Sequence, residues 1–124
     1  MAVPFSTFVV KIASRCNLNC DYCYMYNLQD DTYRNQPAVM RDDVAHLCAE
    51  RICEHAQNSG LKAVHFIMHG GEPLLAGKKR LRRIVEIVRT KLDAADIACR
   101  FSIQSNGTLI DDEWIELLVE LDVR

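Results

Sequence analysis

The sequence predicts an α/β fold in which three strand–helix units form one parallel sheet. Three apolar runs rich in β-forming residues cover 5–13, 63–68 and 99–105, and a segment of helical periodicity follows each run. Strands that alternate with helices in this way are joined by right-handed crossovers and lie parallel. A chain of 124 residues has the size of a single domain, so we expect one domain over residues 1–124 and no second domain.

The first unit consists of the strand at 5–13, a polar irregular loop over 24–39 and a helix predicted from Met40 to Asn58. Acidic residues in the first turn of this helix, and Gly60 beyond its end, are typical start and stop signals. Its apolar side chains recur at steps of three and four residues, which places them on one face. That face consists of Met40, Val44, Leu47, Cys48, Ile52 and Ala56.

The second and third units repeat this pattern. A helix after Gly77 follows the strand at 63–68, and another helix follows the strand at 99–105, with Asp111 as its N-cap. The basic run that begins the second helix is expected to be its solvated outer face, because the opposite side is apolar. The apolar positions of the second helix are Leu81, Ile84, Val85, Val88 and Leu92. Those of the third helix are Ile115, Leu118 and Val119.

Composition and charge exclude several classes of protein. The net charge of −2 and the pI of about 6.1 give no basic footprint for nucleic acid. No apolar run approaches the roughly 18 residues that span a bilayer, and the first residues lack the pattern of a signal peptide. Six cysteines without a secretory signal favour a reducing compartment. We therefore expect a cytoplasmic protein with neither nucleic acid nor a membrane as a partner.

The most informative motif consists of three cysteines in the order C-x3-C-x2-C just after the first strand, namely Cys16, Cys20 and Cys23. A closed structural metal site needs four protein ligands, and the residues around the motif offer no fourth one. Three thiolates this close together can hold three irons of a four-iron cluster and leave the fourth iron for a small molecule. Two alternatives remain, a zinc site completed by a distant residue such as His69 and buried thiols without a metal.

Polar and glycine-rich motifs follow the other two strands. The turn from His69 to Pro73 comes after the second strand, and the segment from Gln104 to Thr108 comes after the third. In parallel α/β sheets, ligands bind at the carboxyl ends of the strands. The cysteine segment and these two motifs are therefore expected to meet at one edge of the sheet. Taken alone, each of the two motifs is also compatible with ordinary turn chemistry.

The segment CNLNCDYCY, with an aromatic residue before its last cysteine, resembles the signature of radical S-adenosylmethionine enzymes. The resemblance implies that Cys16, Cys20 and Cys23 hold a [4Fe-4S] cluster, whose free iron is chelated by the amino and carboxylate groups of S-adenosylmethionine. It also implies reductive cleavage of that cofactor to a 5′-deoxyadenosyl radical, which abstracts a hydrogen atom. In such an enzyme the cofactor supplies the radical chemistry, and the protein binds it, orients it and excludes water. No catalytic residue is assigned beyond the cluster ligands.

The resemblance extends to the motifs after the second and third strands. It implies that the GGEP stretch contacts the amino group of the methionine moiety, and a pair of glycines suits such a close approach of the backbone. Glu72 is expected to be a structural hydrogen-bond partner rather than a catalytic acid, and Tyr22 and Tyr24 are expected to shield the cluster from water. The cofactor-binding residues implied in this way are Tyr22, Gly70, Gly71, Glu72, Pro73, Gln104, Ser105 and Asn106.

Members of this family are similar in having a partial TIM barrel of six strand–helix units, so the resemblance makes this chain the first half of a (β/α)6 barrel. The chain is expected to be a truncated core domain, with the cluster loop at about 14–27 and a fourth strand beginning near Val123. The third strand would then be left as an unpaired apolar edge. The later strands, which contact ribose and adenine in the family, have no counterpart in the sequence.

Within the family, the N-terminal stretch together with HGGEPLL and QSNGTLID is most similar to the peptide-modifying, SPASM-type branch. That branch includes cyclophane-forming peptide maturases and, nearly as similar, sulfatase-maturating enzymes that oxidise a Cys or Ser to formylglycine. The resemblance implies a peptide or protein substrate, here a ribosomal precursor peptide that is cross-linked, and an electron donor such as ferredoxin or flavodoxin. Alternatives from other classes are an iron–sulfur electron-transfer protein, a zinc-binding or peptide-binding module and an inactive fragment.

Overall fold

A computed structural model describes residues 3–124 and contains one sheet of three parallel strands. The elements are β1 (Thr7–Ala13), α1 (Asp42–Asn58), β2 (Ala63–Gly70), α2 (Lys78–Ala94), β3 (Ala98–Ile103) and α3 (Asp112–Glu120), with two 3-10 turns at Thr32–Asn35 and Pro73–Ala76. The strands lie in the order β1-β2-β3, so the predicted α/β class and parallel three-unit sheet are confirmed. None of the helices within residues 3–124 has the length and hydrophobicity needed to cross a membrane.

The two faces of the sheet have different surroundings. One face supplies the core, in which Ile12, Phe66 and Phe101 are fully buried together with apolar side chains of α1 and α2. Because successive strand residues point to opposite faces, the alternate positions form a second face, which we call the open face. All of its residues are exposed or half-buried. The open face consists of Thr7, Val9, Lys11, Ala63, His65, Ile67, His69, Ala98, Arg100 and Ser102.

Helix α1 is rotated relative to the face that the sequence predicts. Val44 and Leu47 belong to the predicted face, but Leu47 is 52% exposed and Val44 is also exposed. The residues that α1 buries instead are Ala45, Ala49, Ile52, Cys53 and Ala56. Alanines let α1 approach the sheet and α2 closely, whereas a pattern based on large apolar residues gives them little weight. The prediction was therefore wrong for Val44 and Leu47 and right for Ile52 and Ala56.

The second and third helices differ in how well their apolar faces were predicted. All five predicted positions of α2 are buried. The Asp111 carboxylate accepts a hydrogen bond of 2.8 Å from the Trp114 N–H, so the predicted N-cap of α3 is confirmed. Trp114 and Leu117 are the residues of α3 that pack into the core, whereas Ile115 and Val119 are exposed. The predicted apolar positions of α3 thus lie largely on its exposed side.

The basic run at the start of α2 lies on the outer surface, where it pairs with acidic residues of the neighbouring helices. Arg80 and Arg83 both contact Asp42 at the start of α1, and Arg82 forms a bidentate pair with Glu120 of α3. Exposed ion pairs of this kind each contribute about 0–1 kcal/mol. The run is therefore the solvated outer face that the sequence predicts.

The last two residues pair with β3. Val123 forms a parallel bridge with Phe101, the Ile103 N–H donates to the Arg124 carbonyl at 2.7 Å, and the Arg124 N–H donates to the Phe101 carbonyl at 3.1 Å. The expected fourth strand near Val123 stays a prediction, and this isolated parallel bridge agrees with it. The expectation that β3 is an unpaired edge is corrected, because these two residues cover part of it.

Candidate functional site

The segments that follow the three strands meet at the carboxyl end of the sheet, as the sequence predicts. The cysteine segment after β1 is tied to the turn after β2 by two backbone hydrogen bonds. The Gly71 N–H donates to the Ala13 carbonyl at 3.1 Å, and the Glu72 N–H donates to the Arg15 carbonyl at 2.8 Å. The cysteine segment therefore has a fixed position relative to the GGEP turn.

The two glycines of this turn are required by the close approach of the cysteine segment. Gly70 has a φ of +147°, and a Cβ at this position would collide with the carbonyl group of Ala13. A Cβ at Gly71 would collide with the Arg15 carbonyl oxygen and with the hydroxyl of Tyr26. The sequence interpretation assigned the glycines to the approach of a ligand. The structure gives them an additional reason, because the chain's own backbone fills the space that a side chain would need.

Glu72 connects the turn after β2 to the loop after β3. Its side chain is fully buried, and its carboxylate accepts hydrogen bonds from the Leu74 N–H at 3.1 Å, the Ser105 hydroxyl at 2.7 Å and the Asn106 N–H at 2.8 Å. Every buried carboxylate needs such donors, because an unpartnered one is strongly disfavoured. Glu72 is thus a structural hydrogen-bond partner, as expected.

Side-chain amides join the loop after β3 to the cysteine segment. The Asn106 Nδ2 donates to the Asn17 Oδ1 at 2.9 Å, and the Asn17 Nδ2 donates to the Thr108 hydroxyl at 2.7 Å. The Thr108 hydroxyl in turn donates to the Asn106 Oδ1 at 2.8 Å, which closes a ring of three hydrogen bonds. The ring holds Asn17, the residue after Cys16, so this loop fixes the start of the cysteine motif.

The three thiols of the motif are free and half-buried. A tight turn, in which the Cys23 N–H donates to the Cys20 carbonyl at 3.1 Å, brings the last two together, and the Leu18 N–H points at the Cys16 sulfur at 3.4 Å. Among residues 3–124, no three His, Cys, Asp or Glu side chains converge closely enough to hold a single metal ion. A single zinc ion lies about 2.3 Å from each sulfur, whereas each cysteine of a cluster binds a different iron.

Tyr26 is a residue of the site to which the sequence assigned no role. Its hydroxyl is buried and has no hydrogen-bond partner within residues 3–124, and its ring packs edge-on against Tyr33 at 4.5 Å. Burial, together with the nearby Cys16 and Cys23, raises the pKa of the Tyr26 hydroxyl. This buried hydroxyl lies beside the thiols and the GGEP turn, where a bound group could form a hydrogen bond with it. The donor set and this unused hydroxyl therefore fit an iron–sulfur cluster with a polar cofactor beside it.

The other tyrosines of the segment do not form the shield that the sequence predicts. In the described chain Tyr22 is 82% exposed and Tyr24 is 63% exposed, so neither ring covers the thiols. Gln104 also has an exposed side chain, although its N–H donates to the Met68 carbonyl at 3.0 Å and extends the sheet. Pro73 is buried at the start of a 3-10 turn, where its missing N–H costs nothing.

Arg15 supports the cysteine segment from the other side and was missed by the sequence interpretation. Its guanidinium donates to the carbonyl of Tyr33 at 2.9 Å and to the Ser14 hydroxyl at 2.7 Å, and it lies over the Tyr33 ring. The 3-10 turn that contains Tyr33 is thereby held against Tyr26. A lone arginine before a cysteine carries no sequence signal for this role, because most of its acceptors are backbone carbonyls.

Comparison with known proteins now identifies the family. The Radical SAM superfamily matches residues 10–124. The chain belongs to this superfamily. Its cofactors are accordingly a [4Fe-4S] cluster and S-adenosylmethionine, which confirms the cofactors implied by the resemblance.

The relatives lie in the sulfatase-maturating branch of the superfamily. The chain is 34% identical over 117 residues to a cysteine-type anaerobic sulfatase-maturating enzyme of Clostridium perfringens, a match of 94% of this chain and 30% of the relative. It is 35% identical to a serine-type anaerobic sulfatase-maturating enzyme of Klebsiella pneumoniae, over 95% of this chain and 28% of the relative. The chain therefore spans less than a third of the length of these curated relatives.

A solved structure gives the same result for the fold. The structure of native anSMEcpe with bound AdoMet and Cp18Cys peptide superposes with a TM-score of 0.75 at 30% sequence identity, over 97% of this chain and 30% of that one. The strands and helices described above thus correspond to part of a radical SAM partial TIM barrel. The predicted fold class and the recognised branch are both confirmed.

Proposed function

We propose that residues 1–124 form the N-terminal part of a radical SAM core domain that abstracts a hydrogen atom from a residue of a peptide or protein. When bound, the reduced cluster and S-adenosylmethionine supply the 5′-deoxyadenosyl radical that performs this step. The observation that carries the proposal is the convergence of the three thiols, the GGEP turn and the loop after β3 at one edge of the sheet.

The cysteine segment, over about 14–27, would hold the cluster. Cys16, Cys20 and Cys23 would each bind one iron, because they are the only thiols at this edge of the sheet in the described chain. Hydrogen bonds to Ala13, Arg15 and Asn17 fix the segment before any cofactor binds. Such preorganisation lowers the entropic cost of binding.

The turn after β2 and the loop after β3 would bind S-adenosylmethionine. No donor within residues 3–124 uses the carbonyl of Gly71, so this oxygen is available to an ammonium group. Ser105 and Asn106 are held by Glu72 at the same edge, where their remaining donors could reach a carboxylate or ribose. Tyr22, Gly70, Pro73 and Gln104 complete the proposed set, Tyr22 through a side-chain hydrogen bond with Cys20. Tyr26 would fill the space between the cluster and Gly71 and exclude water there.

The substrate class is proposed from the relatives. One solved relative holds a Cp18Cys peptide, and the curated relatives mature sulfatases. Formylglycine formation on a Cys or Ser is therefore one candidate reaction. The motifs HGGEPLL and QSNGTLID favour cross-linking of a ribosomal precursor peptide as the other candidate. Both begin with hydrogen abstraction from a polypeptide, and both need electrons from a carrier such as ferredoxin or flavodoxin.

The test is cluster reconstitution under anaerobic conditions, followed by assays of iron, sulfide and 5′-deoxyadenosine. We expect four irons for each chain by the cluster stoichiometry, and formation of 5′-deoxyadenosine that depends on a reductant. Replacing any one of Cys16, Cys20 and Cys23 by Ser should abolish both the four-iron content and the formation of 5′-deoxyadenosine.

The matched control is Cys48→Ser, which changes a half-buried thiol on α1, away from the site. This variant should retain its iron and its activity. Retention of the cluster after loss of Cys20, or its loss in the control, would contradict the proposal. A protein that binds one zinc ion instead of iron would support the zinc alternative.

A further inference from the structure

The open face of the sheet carries positive charge and no carboxylate. Lys11 of β1 and Arg100 of β3 lie on this face, with His65 and His69 of β2 between them. The remaining positions of the face are neutral. A sheet face that carries charges of one sign attracts a ligand of the opposite sign.

Neither cation of the open face forms an ion pair within the described chain, in contrast to the arginines at the start of α2. On the outer surface, Arg80, Arg82 and Arg83 all pair with a carboxylate of a neighbouring helix. Neither Lys11 nor Arg100 forms a salt bridge with any residue of the described chain. Their charges are therefore available to a ligand.

Arg100 is oriented by a neutral hydrogen-bonded pair. Its Nη2 lies 3.1 Å from the Nδ1 of His65, and the Nε2 of His65 lies 2.6 Å from the Ser102 hydroxyl. A guanidinium can only donate, so Nδ1 accepts and Nε2 carries the proton. Burial and the adjacent Arg100 lower the pKa of His65, which agrees with a neutral ring. The guanidinium is thus held in place while its charge stays uncompensated.

Lys11 places a second cation next to the cysteine segment. Its ammonium lies 5.7 Å from the centre of the Tyr24 ring, and Tyr24 directly follows Cys23. Both residues line a cavity of about 570 Å³ between β1 and the loop before α1. Asp30 borders the same cavity, and hydrogen bonds from Thr32, with Lys11 as a weaker contributor, lower the pKa of its carboxyl, but Asp30 forms no salt bridge with Lys11. A substrate group bound by Lys11 would lie close to the proposed cluster.

We propose that the open face binds a carboxylate-bearing segment of the polypeptide substrate, with Lys11 and Arg100 as its anion-binding side chains. This inference rests on the proposed function and specifies its substrate class. In the strand register, Lys11 is level with His69 and Arg100 is level with His65. Lys11 and Arg100 are therefore separated by about 13 Å along the strands and by about 10 Å across two strand spacings. The two cations are thus about 16 Å apart at the backbone, which an extended peptide covers in about five residues.

The experiment measures binding of short labelled peptides to the intact, cluster-loaded protein by fluorescence anisotropy at low salt. The probes are a Gly-Ser peptide with two glutamates about five residues apart, its glutamine counterpart, and that counterpart with a free C-terminal carboxylate instead of an amide. We expect the glutamate peptide to bind about tenfold more tightly than the amidated glutamine peptide, with the preference decreasing as salt increases. The third probe distinguishes a side-chain carboxylate from a terminal one. Tighter binding of either carboxylate-bearing peptide than of the amidated glutamine peptide supports the inference.

Variants assign the effect to the two cations. The double variant Lys11→Met, Arg100→Gln should lose most of the preference for carboxylates. Lys79→Met is the matched control, because it removes one positive charge from an exposed position of α2 and should retain the preference. Lys11→Arg keeps the positive charge and should also retain the preference for carboxylates. The test therefore remains informative if the Lys11→Met variant misfolds.

Equal binding of the glutamate and glutamine peptides would overturn the inference, as would an equal loss of preference in the Lys79→Met control. 5′-Deoxyadenosine formation is measured on the same samples. If it is normal while no carboxylate preference appears, the open-face inference fails and the proposed function stands. If the preference is present but no 5′-deoxyadenosine forms, the proposed function fails instead.

Discussion

Glu72 offers the sharpest test of how the site is held together, through the variant Glu72→Gln. The carboxylate is fully buried and its two oxygens accept three hydrogen bonds, one of them at Oε2 from the Asn106 N–H. A glutamine has the same shape but carries only one carbonyl oxygen. If that oxygen keeps the bonds to Leu74 and Ser105, the amide nitrogen faces the Asn106 N–H and neither donor has an acceptor.

The magnitude follows from that mismatch. Loss of a hydrogen bond to a charged group costs about 1.5–3 kcal/mol, and a buried donor left without a partner adds about 1–3 kcal/mol. Because the loop after β3 can shift to relieve part of this cost, we expect the free energy of unfolding to fall by about 3 kcal/mol. For a domain of this size such a loss lowers the Tm by about 10 °C.

The assay is urea unfolding followed by circular dichroism, with Glu50→Gln as the control. Glu50 is an exposed residue of α1, so the same chemical change there should alter the free energy of unfolding by less than about 0.5 kcal/mol. Equal stability of Glu72→Gln and the unmodified protein would refute the idea that this carboxylate joins the turn after β2 to the loop after β3.

Three further predictions concern single positions. Gly71→Ala should destabilise the protein by at least about 2 kcal/mol in the same urea assay, because the added Cβ collides with the Arg15 carbonyl and the Tyr26 hydroxyl. An unchanged stability would contradict the close approach of the cysteine segment to the GGEP turn. Tyr26→Phe should raise the stability of the cluster-free protein by about 1 kcal/mol, since it removes a buried hydroxyl that has no hydrogen-bond partner in the described chain. A marked loss of stability would show that the hydroxyl does form a hydrogen bond. Burial raises the pKa of the Cys99 thiol to about 11, so its alkylation by iodoacetamide should be slow at neutral pH and accelerate as the pH rises towards that value. Peptide mass spectrometry of labelled samples measures the rate. Fast labelling at neutral pH in the folded protein would argue against this burial.

The sequence was sufficient to predict the units of the fold and where their loops meet. The alternation of strand and helix patterns determines a parallel sheet, and a parallel sheet brings the loops after its strands to one edge. The position of Cys16 beside Asn106 follows from that topology without any knowledge of side-chain contacts. The role of Glu72 as a structural hydrogen-bond partner was also expected from the sequence.

Other features depend on packing that no local pattern contains. The orientation of α1 is determined by Ala45 and Ala49, whose small size matters only once a neighbouring element lies against them. The hydroxyl of Tyr26 is buried because Gly71 is distant in sequence but adjacent in space. Tyr22 and Tyr24, by contrast, were expected to cover the thiols and lie exposed in the described chain. These contacts are tertiary, so residue spacing alone could not reveal them.

The most direct test of the account is electron paramagnetic resonance of the reconstituted, dithionite-reduced protein with and without S-adenosylmethionine. Because the three cysteines leave one iron open, we expect the signal of a reduced four-iron cluster whose shape changes when the cofactor is added. A cluster signal that is indifferent to S-adenosylmethionine would contradict the proposed cofactor site at the GGEP turn and the loop after β3.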